Sequence, residues 1–93
     1  MAFEWDPEKA AENLRLHGIA FEDATHIFDG PTVEAADTRE DYGEDRFLAF
    51  GVVQGIELAV VYTEREDAIR LISARRATKH ERKAYWQAIS RQG

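Results

Sequence analysis

Residues 63 to 85, Thr63-Glu-Arg-Glu-Asp-Ala-Ile-Arg-Leu-Ile-Ser-Ala-Arg-Arg-Ala-Thr-Lys-His-Glu-Arg-Lys-Ala-Tyr85, carry an apolar strand pattern straight into a basic, capped helix. Glu64 to Asp67 reads as a charged turn and Ala68 to Ala74 as a strand. Thr78-Lys79-His80-Glu81 has the capping-box spacing, in which a Thr hydroxyl and a Glu carboxylate three residues on satisfy each other's free backbone N–H groups. That box predicts a helix running to about Ser90. Before this stretch, Arg46 to Val53 and Ile56 to Thr63 are rich in Phe, Val, Leu and Tyr and are separated by Gln54-Gly55, which predicts a β-hairpin. With Ala68 to Ala74 it makes an antiparallel meander, and Val33 to Ala36 suits an edge strand.

The N-terminal third reads differently. Ala2 to Trp5 is a short strand pattern, and Asp6-Pro7-Glu8 supplies a helix cap, a Pro at the first helical position and an acid in the first turn. The helix runs from Pro7 to about Leu16 and stops at His17-Gly18, where Gly can take the left-handed conformation. A second helix is expected from Phe21 to about Phe28, with Phe21, Ala24, Ile27 and Phe28 at helical spacing, before Asp29-Gly30-Pro31 ends it. The order is β-α-α-β-β-β-β-α. The expected class is α+β, an antiparallel sheet packed against helices, with residues 1–93 forming a single domain.

Charge is distributed unevenly. Residues 1–70 hold six basic and seventeen acidic groups and residues 71–93 hold six basic and one acidic, so a net charge of −6 hides a cationic C-terminal quarter. Such a segment suits a polyanion or an acidic protein partner. With no cysteine, a disulfide, a thiolate metal site and a cysteine nucleophile are all excluded. There is no Gly-rich phosphate loop, no histidine pair at zinc spacing and no Gly-x-Ser-x-Gly elbow, so no cofactor is expected. His17, His26 and His80 fall on different helices or their ends, which disfavours a metal site. The N-terminus lacks a signal-peptide pattern, and Leu58 to Tyr62 is too short to cross a bilayer, so a cytoplasmic protein with no membrane partner is expected.

Candidate chemistry gathers at the strand–helix junction. Simple alternation along the strand puts Ser73 and Arg75 on one face and Arg70 and Arg76 on the other. Lys79, Arg82 and Lys83 share a helix face, with Glu81 roughly opposite and engaged in its cap. Two readings stand: a phosphate-binding surface, or a solvated helix face paired with the acidic N-terminal region. Tyr85 and Trp86 can stack unpaired bases or pack into the core. Arg65 sits among Glu64, Glu66 and Asp67 and suits a local ion pair, and Arg39 to Asp45 reads as a polar turn.

Longer ordered patterns add to this. Phe3-Glu4-Trp5-Asp6, Lys9, Asn13 and His17-Gly18-Ile19-Ala20-Phe21-Glu22-Asp23-Ala24 stand at one end. Asp41-Tyr42-Gly43-Glu44 lies in the middle, and Val61-Tyr62-Thr63-Glu64-Arg65, Arg70 to Thr78, Glu81-Arg82 and Tyr85 stand at the other end. Together they resemble the BrnT family of toxins over almost the whole chain. The resemblance implies a toxin of a type II toxin–antitoxin pair with a compact fold similar to the RelE ribonuclease toxins. It implies RNA cleavage held in check by a BrnA antitoxin, which supplies the DNA-binding part, so that operator DNA is met only through the complex. The residues matching the family pattern near the presumed active surface are Arg65, Arg75, Arg76, Glu81 and Tyr85.

Metal-independent RNA cleavage needs a base near the 2′-hydroxyl, cations around the phosphate and an acid for the leaving 5′-oxygen. On the resemblance, Arg65 and Arg75 stabilise the phosphate and Tyr85 orients or stacks the base. Arg76, Lys79 and Arg82 hold flanking backbone, Glu81 serves as the base, and His80 or His17 serves as the acid or a substitute base. Family members are often basic, whereas this chain is net −6, so RNA binding is expected at a local cationic face and with strong salt dependence. Two other readings keep the basic helix: a non-catalytic module that docks an acidic antitoxin segment and co-represses transcription, and a DNA-binding regulator, for which no helix-turn-helix signature is visible.

Overall fold

The computed structural model describes residues 1–92. In chain order the elements are β1 (Ala2–Glu4), α1 (Pro7–His17), α2 (Phe21–Ala24), a 3-10 helix (Thr25–Asp29), β2 (Val33–Ala36), β3 (Phe47–Val53), β4 (Ile56–Arg65), β5 (Ala68–Arg76) and α3 (Lys79–Gln92). The expected helix starts and stops hold at atomic detail. Asp6 accepts from the Glu8 N–H at 2.8 Å, Pro7 opens α1, and Gly18 closes it at φ 70 with its N–H on the Leu14 carbonyl. The β3–β4 hairpin turns at Gln54 and Gly55, both at positive φ, the geometry that matches the right-handed twist of the flanking strands.

The five strands lie in the order β1-β5-β4-β3-β2. β2 through β5 pair antiparallel, but β1 runs parallel to β5, with Phe3 opposite Ile69, so the sheet is mixed rather than wholly antiparallel as expected. An isolated three-residue strand pattern carries no information about the direction of its partner. The direction is set by the return path through α1 and α2.

Those two helices and the 3-10 turn cover one face. Phe21, Ala24 and Ile27 are buried against Ala49, Leu58, Val60, Tyr62, Leu71 and Ala74. Burying each large side chain contributes roughly 1.5–3 kcal/mol. The expected single helix from Phe21 to Phe28 instead tightens after Ala24 into the 3-10 turn. There the Thr25 hydroxyl donates to the Glu22 carbonyl at 2.7 Å, a side-chain bond that competes with the regular helical ladder. The tighter turn brings Ile27 so near the sheet that a Cβ on Gly51 would stand 2.7 Å from the Ile27 Cβ.

Asn13, 5% exposed, joins α1 to the sheet. Its amide donates to the carbonyls of Ala74 (2.9 Å) and Ile19 (3.0 Å) and accepts from the Ala74 N–H (3.0 Å). Pairing between β1 and β5 ends at Glu4 and Arg70, so this side chain serves the β5 edge as a further strand would.

Candidate active site

A β-bulge decides which arginines share a face. Tyr62 pairs with Leu71 and Val61 pairs with Ser73, so Ile72 is left without a partner. Cross-strand partners point the same way, which places Tyr62, Leu71, Val60 and Ala74 toward the helices and Thr63, Arg70, Val61, Ser73, Ala59 and Arg75 on the other face. Arg70 therefore joins Ser73 and Arg75, a correction to simple alternation, which had set it with Arg76. Arg76, opposite Leu58, is left on the helix-covered side.

α3 crosses one end of this second face, where Ala59, Val61 and Thr63 are buried. Its capping box forms as expected: the Thr78 N–H donates to Glu81 Oε1 at 2.8 Å, and the Glu81 N–H donates to Thr78 Oγ1 at 3.2 Å. The same Glu81 carboxylate receives both terminal nitrogens of Arg75, at 2.7 and 3.0 Å. This bidentate pair fixes the guanidinium plane and joins the end of β5 to the first turn of α3. Arg75 first, and then the Thr78 N–H, hold the Glu81 carboxyl down at about 2, well below its ordinary 4.5. At neutral pH it has little affinity for a proton. The Arg75 guanidinium is correspondingly raised by Glu81.

The loop between β2 and β3 borders the same face. The Asp37 N–H donates to the Arg46 carbonyl at 2.8 Å, and Thr63 on the sheet donates to the Asp45 carbonyl at 2.6 Å. The Asp37 carboxylate accepts Arg39 Nε at 2.8 Å and Nη2 at 2.7 Å, with the Tyr42 hydroxyl at 3.4 Å. Arg39 is the main reason that Asp37 is held at about 2. Reading residues 39–45 as a polar turn overlooked Arg39. The pairing of an acid and an arginine two residues apart, Asp37 and Arg39, just past the end of β2, was the available signal.

The remaining expected site residues do not converge on Arg75. Arg65 shares its sheet face but lies six residues along β4 from Ala59, the partner of Arg75, a separation of about 20 Å. It sits 3.9 Å from Glu4, which also pairs with Arg70 at 2.7 Å. Tyr85 is only 3% exposed and donates its hydroxyl to the Pro31 carbonyl at 2.7 Å, tying α3 to the start of β2. The aromatic that faces outward is Trp86, 48% exposed, with Nε1 on Glu57 at 2.7 Å. His17 lies on the helix side in a cavity of about 320 Å³ with Asp23, Ile19, Leu58 and Arg76. Arg82 donates to the Ala77 carbonyl at 2.9 Å, and Lys79 is exposed in the first turn of α3.

Among the described residues no group of three or more His, Asp or Glu side chains is placed to hold a metal ion, and no helix is long and apolar enough to cross a membrane. The arrangement offers partly exposed, fixed guanidiniums at the edge of the second sheet face, whose centre at Ala59, Val61 and Thr63 is buried, beside a helix N-terminus, a setting suited to anionic groups.

Comparison with known proteins agrees with this chemistry. The family model described as the ribonuclease toxin, BrnT, of type II toxin-antitoxin systems matches residues 5–81. No curated protein matches the chain. Among solved structures, the 1.1 Å crystal structure of the Brucella abortus ribonuclease toxin BrnT is similar at a TM-score of 0.66 and 28% identity, covering 85% of this chain and 99% of that one. The chain belongs to the BrnT family of ribonuclease toxins of type II toxin–antitoxin systems.

Proposed function

We propose that this chain is a cytoplasmic endoribonuclease that cleaves RNA without a metal ion, inhibits translation and growth, and is neutralised by a BrnA-like antitoxin through which the pair reaches operator DNA. The observation that carries the reading is Arg75. In a member of a ribonuclease toxin family, its partly exposed guanidinium is fixed by Glu81 and stands at the head of the chain's cationic segment. The α+β arrangement supports the RelE-like kinship that the resemblance implies.

In the proposed reaction the ribose 2′-oxygen attacks the adjacent phosphorus and the bond from phosphorus to the 5′-oxygen breaks. The products are a 2′,3′-cyclic phosphate and a 5′-hydroxyl, with the proton of the 2′-hydroxyl balanced by the one delivered to the leaving oxygen. Arg75 stabilises the charge that builds on the phosphate, a preorganised electrostatic role. Glu81 acts as the positioning residue for Arg75 rather than as the base, because its carboxylate is already engaged by Arg75 and Thr78. His80, exposed in the first turn of α3, is assigned the proton transfer. Lys79 and Arg82 hold flanking backbone, and Tyr85 fixes α3 to the sheet. Arg65, Arg76 and His17 stand apart from this cluster, Arg76 and His17 on the helix-covered side, and are assigned outer contacts.

The test is cleavage of a mixed single-stranded RNA at low salt in excess chelator. Arg75→Ala should abolish cleavage while the protein stays folded. Glu81→Gln should leave a slower enzyme with an unchanged pH profile, whereas loss of the acidic limb of that profile would restore Glu81 as the base. Equal cleavage by wild type and Arg75→Ala would overturn the assignment of the site. The engagement of both Glu81 and Tyr85 in structural bonds favours one second reading, a non-catalytic module that binds the antitoxin and co-represses transcription. A folded wild type that binds its antitoxin but cleaves no RNA would establish that reading instead.

A further inference from the structure

Two cavities meet at Arg76, at the end of the sheet where the β3–β4 hairpin turns. One, of about 320 Å³, lies on the helix-covered side, with Ile19, Val53 and Leu58 as its apolar floor and His17 and Asp23 on its wall. The other, of about 300 Å³, opens toward α3 and holds Arg82 and Glu57. Arg76 and Ile56 line both, so the two form one continuous cleft. Of the four arginines on β4 and β5, Arg65, Arg70 and Arg75 each meet a carboxylate, whereas Arg76 meets none among the described residues. In a chain with 18 acidic and 12 basic side chains, a guanidinium left unpaired at the mouth of an apolar cavity is available to an anion from outside. Asp23 shares that cavity and is likewise exposed and unpaired among the described residues. Arg82 gives one nitrogen to the Ala77 carbonyl and keeps the others, and Glu57 beside it is engaged by Trp86 Nε1 at 2.7 Å.

We propose that this cleft holds one nucleotide of the RNA strand, its phosphate at Arg76 and Arg82 and its base in the apolar cavity, and that Asp23 selects guanine. Two guanidiniums, an apolar slot and a free carboxylate succeed one another along the cleft in the order of phosphate, ring and base edge. Small-ligand sites begin at about 300 Å³, so the larger cavity has room for a base. Guanine alone of the four bases carries two adjacent N–H donors on its Watson–Crick edge, N1–H and the 2-amino group, the pattern that a carboxylate accepts with both oxygens. An acidic protein segment would satisfy Arg76 but would meet Asp23 with like charge, which favours RNA. The inference rests on the ribonuclease reading above and adds base recognition to it. Arg75 and Arg76 are successive residues on opposite faces of β5, so a strand crossing the end of β5 meets both.

The test uses fluorescein-labelled 2′-O-methyl oligouridine, which cannot be cleaved by its own 2′-hydroxyl, with uridine, guanosine or inosine at the central position. Inosine lacks the 2-amino group. Binding is read by fluorescence anisotropy across a salt series. Wild type should bind the guanosine strand about tenfold more tightly than the all-uridine strand, within the range for a bidentate contact to a base edge, and inosine should lose most of that preference. Asp23→Asn should bind the guanosine and inosine strands alike. Arg76→Gln should weaken all three and reduce the slope of log Kd against log salt by about 0.7, the value for one lost single-strand phosphate contact. Both side chains are exposed, so Tm should hold in each variant. Equal binding of the guanosine and uridine strands by wild type, or a guanosine preference kept in Asp23→Asn, would overturn the guanine site. The ribonuclease reading would still be decided separately, by chelator-resistant cleavage and its loss in Arg75→Ala. Loss of antitoxin binding in Arg76→Gln with RNA binding unchanged would also overturn the site and assign the cleft to the protein partner. A wild type that neither binds these strands nor cleaves RNA would overturn both readings.

Discussion

Replacing Asn13 by Ala tests whether one side chain stands in for a missing strand. The substitution removes three hydrogen bonds: two donated to the carbonyls of Ala74 and Ile19, and one accepted from the Ala74 N–H. At about 1 kcal/mol net for each bond, the expected loss is about 3 kcal/mol, and more where the abandoned backbone groups stay dry. A 93-residue domain has a total stability of roughly 5–14 kcal/mol, so the loss is a large share of it. At about 4–8 °C per kcal/mol for a domain of this size, Tm should fall by roughly 12–24 °C in a thermal melt followed by circular dichroism. Asn13→Asp should be worse at neutral pH, because it points a carboxylate at two carbonyl oxygens. It should recover in part as pH falls, because the buried acid has a raised pKa and its protonated form can donate once. The backbone N–H of Ala74 should also exchange faster with solvent in either variant. An Asn13→Ala protein within about 0.5 kcal/mol of wild type would refute the reasoning, because water would then be closing the edge of β5 as well as the amide does.

Gly51→Ala should destabilise by about 1–3 kcal/mol, because the new methyl would meet Ile27 at 2.7 Å; Ile27→Val in the same chain should not rescue it, as the clash is with Cβ. Chemical denaturation at a series of pH values checks the carboxylates. Asp37 and Glu81 are both held near 2, below their ordinary values of 3.8 and 4.5, so their stabilising effect is full above about pH 4.5 and disappears as pH falls toward 2. In Glu81→Gln the slope of stability against pH across that window should be shallower. Arg75→Ala should cost about 1 kcal/mol or less of stability, since its pair with Glu81 is partly solvated, and a denaturation curve comparing it with wild type measures this directly.

What the sequence announces is what local chemistry decides. The Asp6-Pro7 start, the Gly18 stop, the Gln54-Gly55 hairpin and the Thr78–Glu81 box each complete their bonds within a few residues, and all four appear where a short window places them. The direction of β1 depends on a partner more than sixty residues away, and no window contains that information. The bulge at Ile72 is subtler. It shifts the alternation by one residue and moves Arg70 onto the face of Arg75, an effect set by the pairing of β4 and β5 rather than by β5 alone. Tyr85 and Trp86 are adjacent on α3, and only its docking angle decides that Tyr85 is buried on Pro31 and Trp86 faces outward. Arg39 stayed hidden because its role depends on the burial of Asp37, which the loop acquires only when it closes on Arg46 and the sheet.

The acidic total of the chain takes on a different meaning once the arginines are placed. Arg39, Arg46, Arg65, Arg70 and Arg75 lie on or beside the second sheet face, and each has a carboxylate partner: Asp37, Glu44, Glu4 for two of them, and Glu81. Pairs this exposed add little to stability, so their more consequential effect is to fix where each guanidinium stands. Fixing a cation with its own acid weakens its long-range pull on RNA while preserving the short-range donors that recognise a phosphate. The face should therefore bind RNA less tightly, and with a shallower salt dependence, than its number of arginines suggests. It gains in return a set of donors already oriented when the phosphate arrives, which is the property that lowers a barrier rather than a dissociation constant.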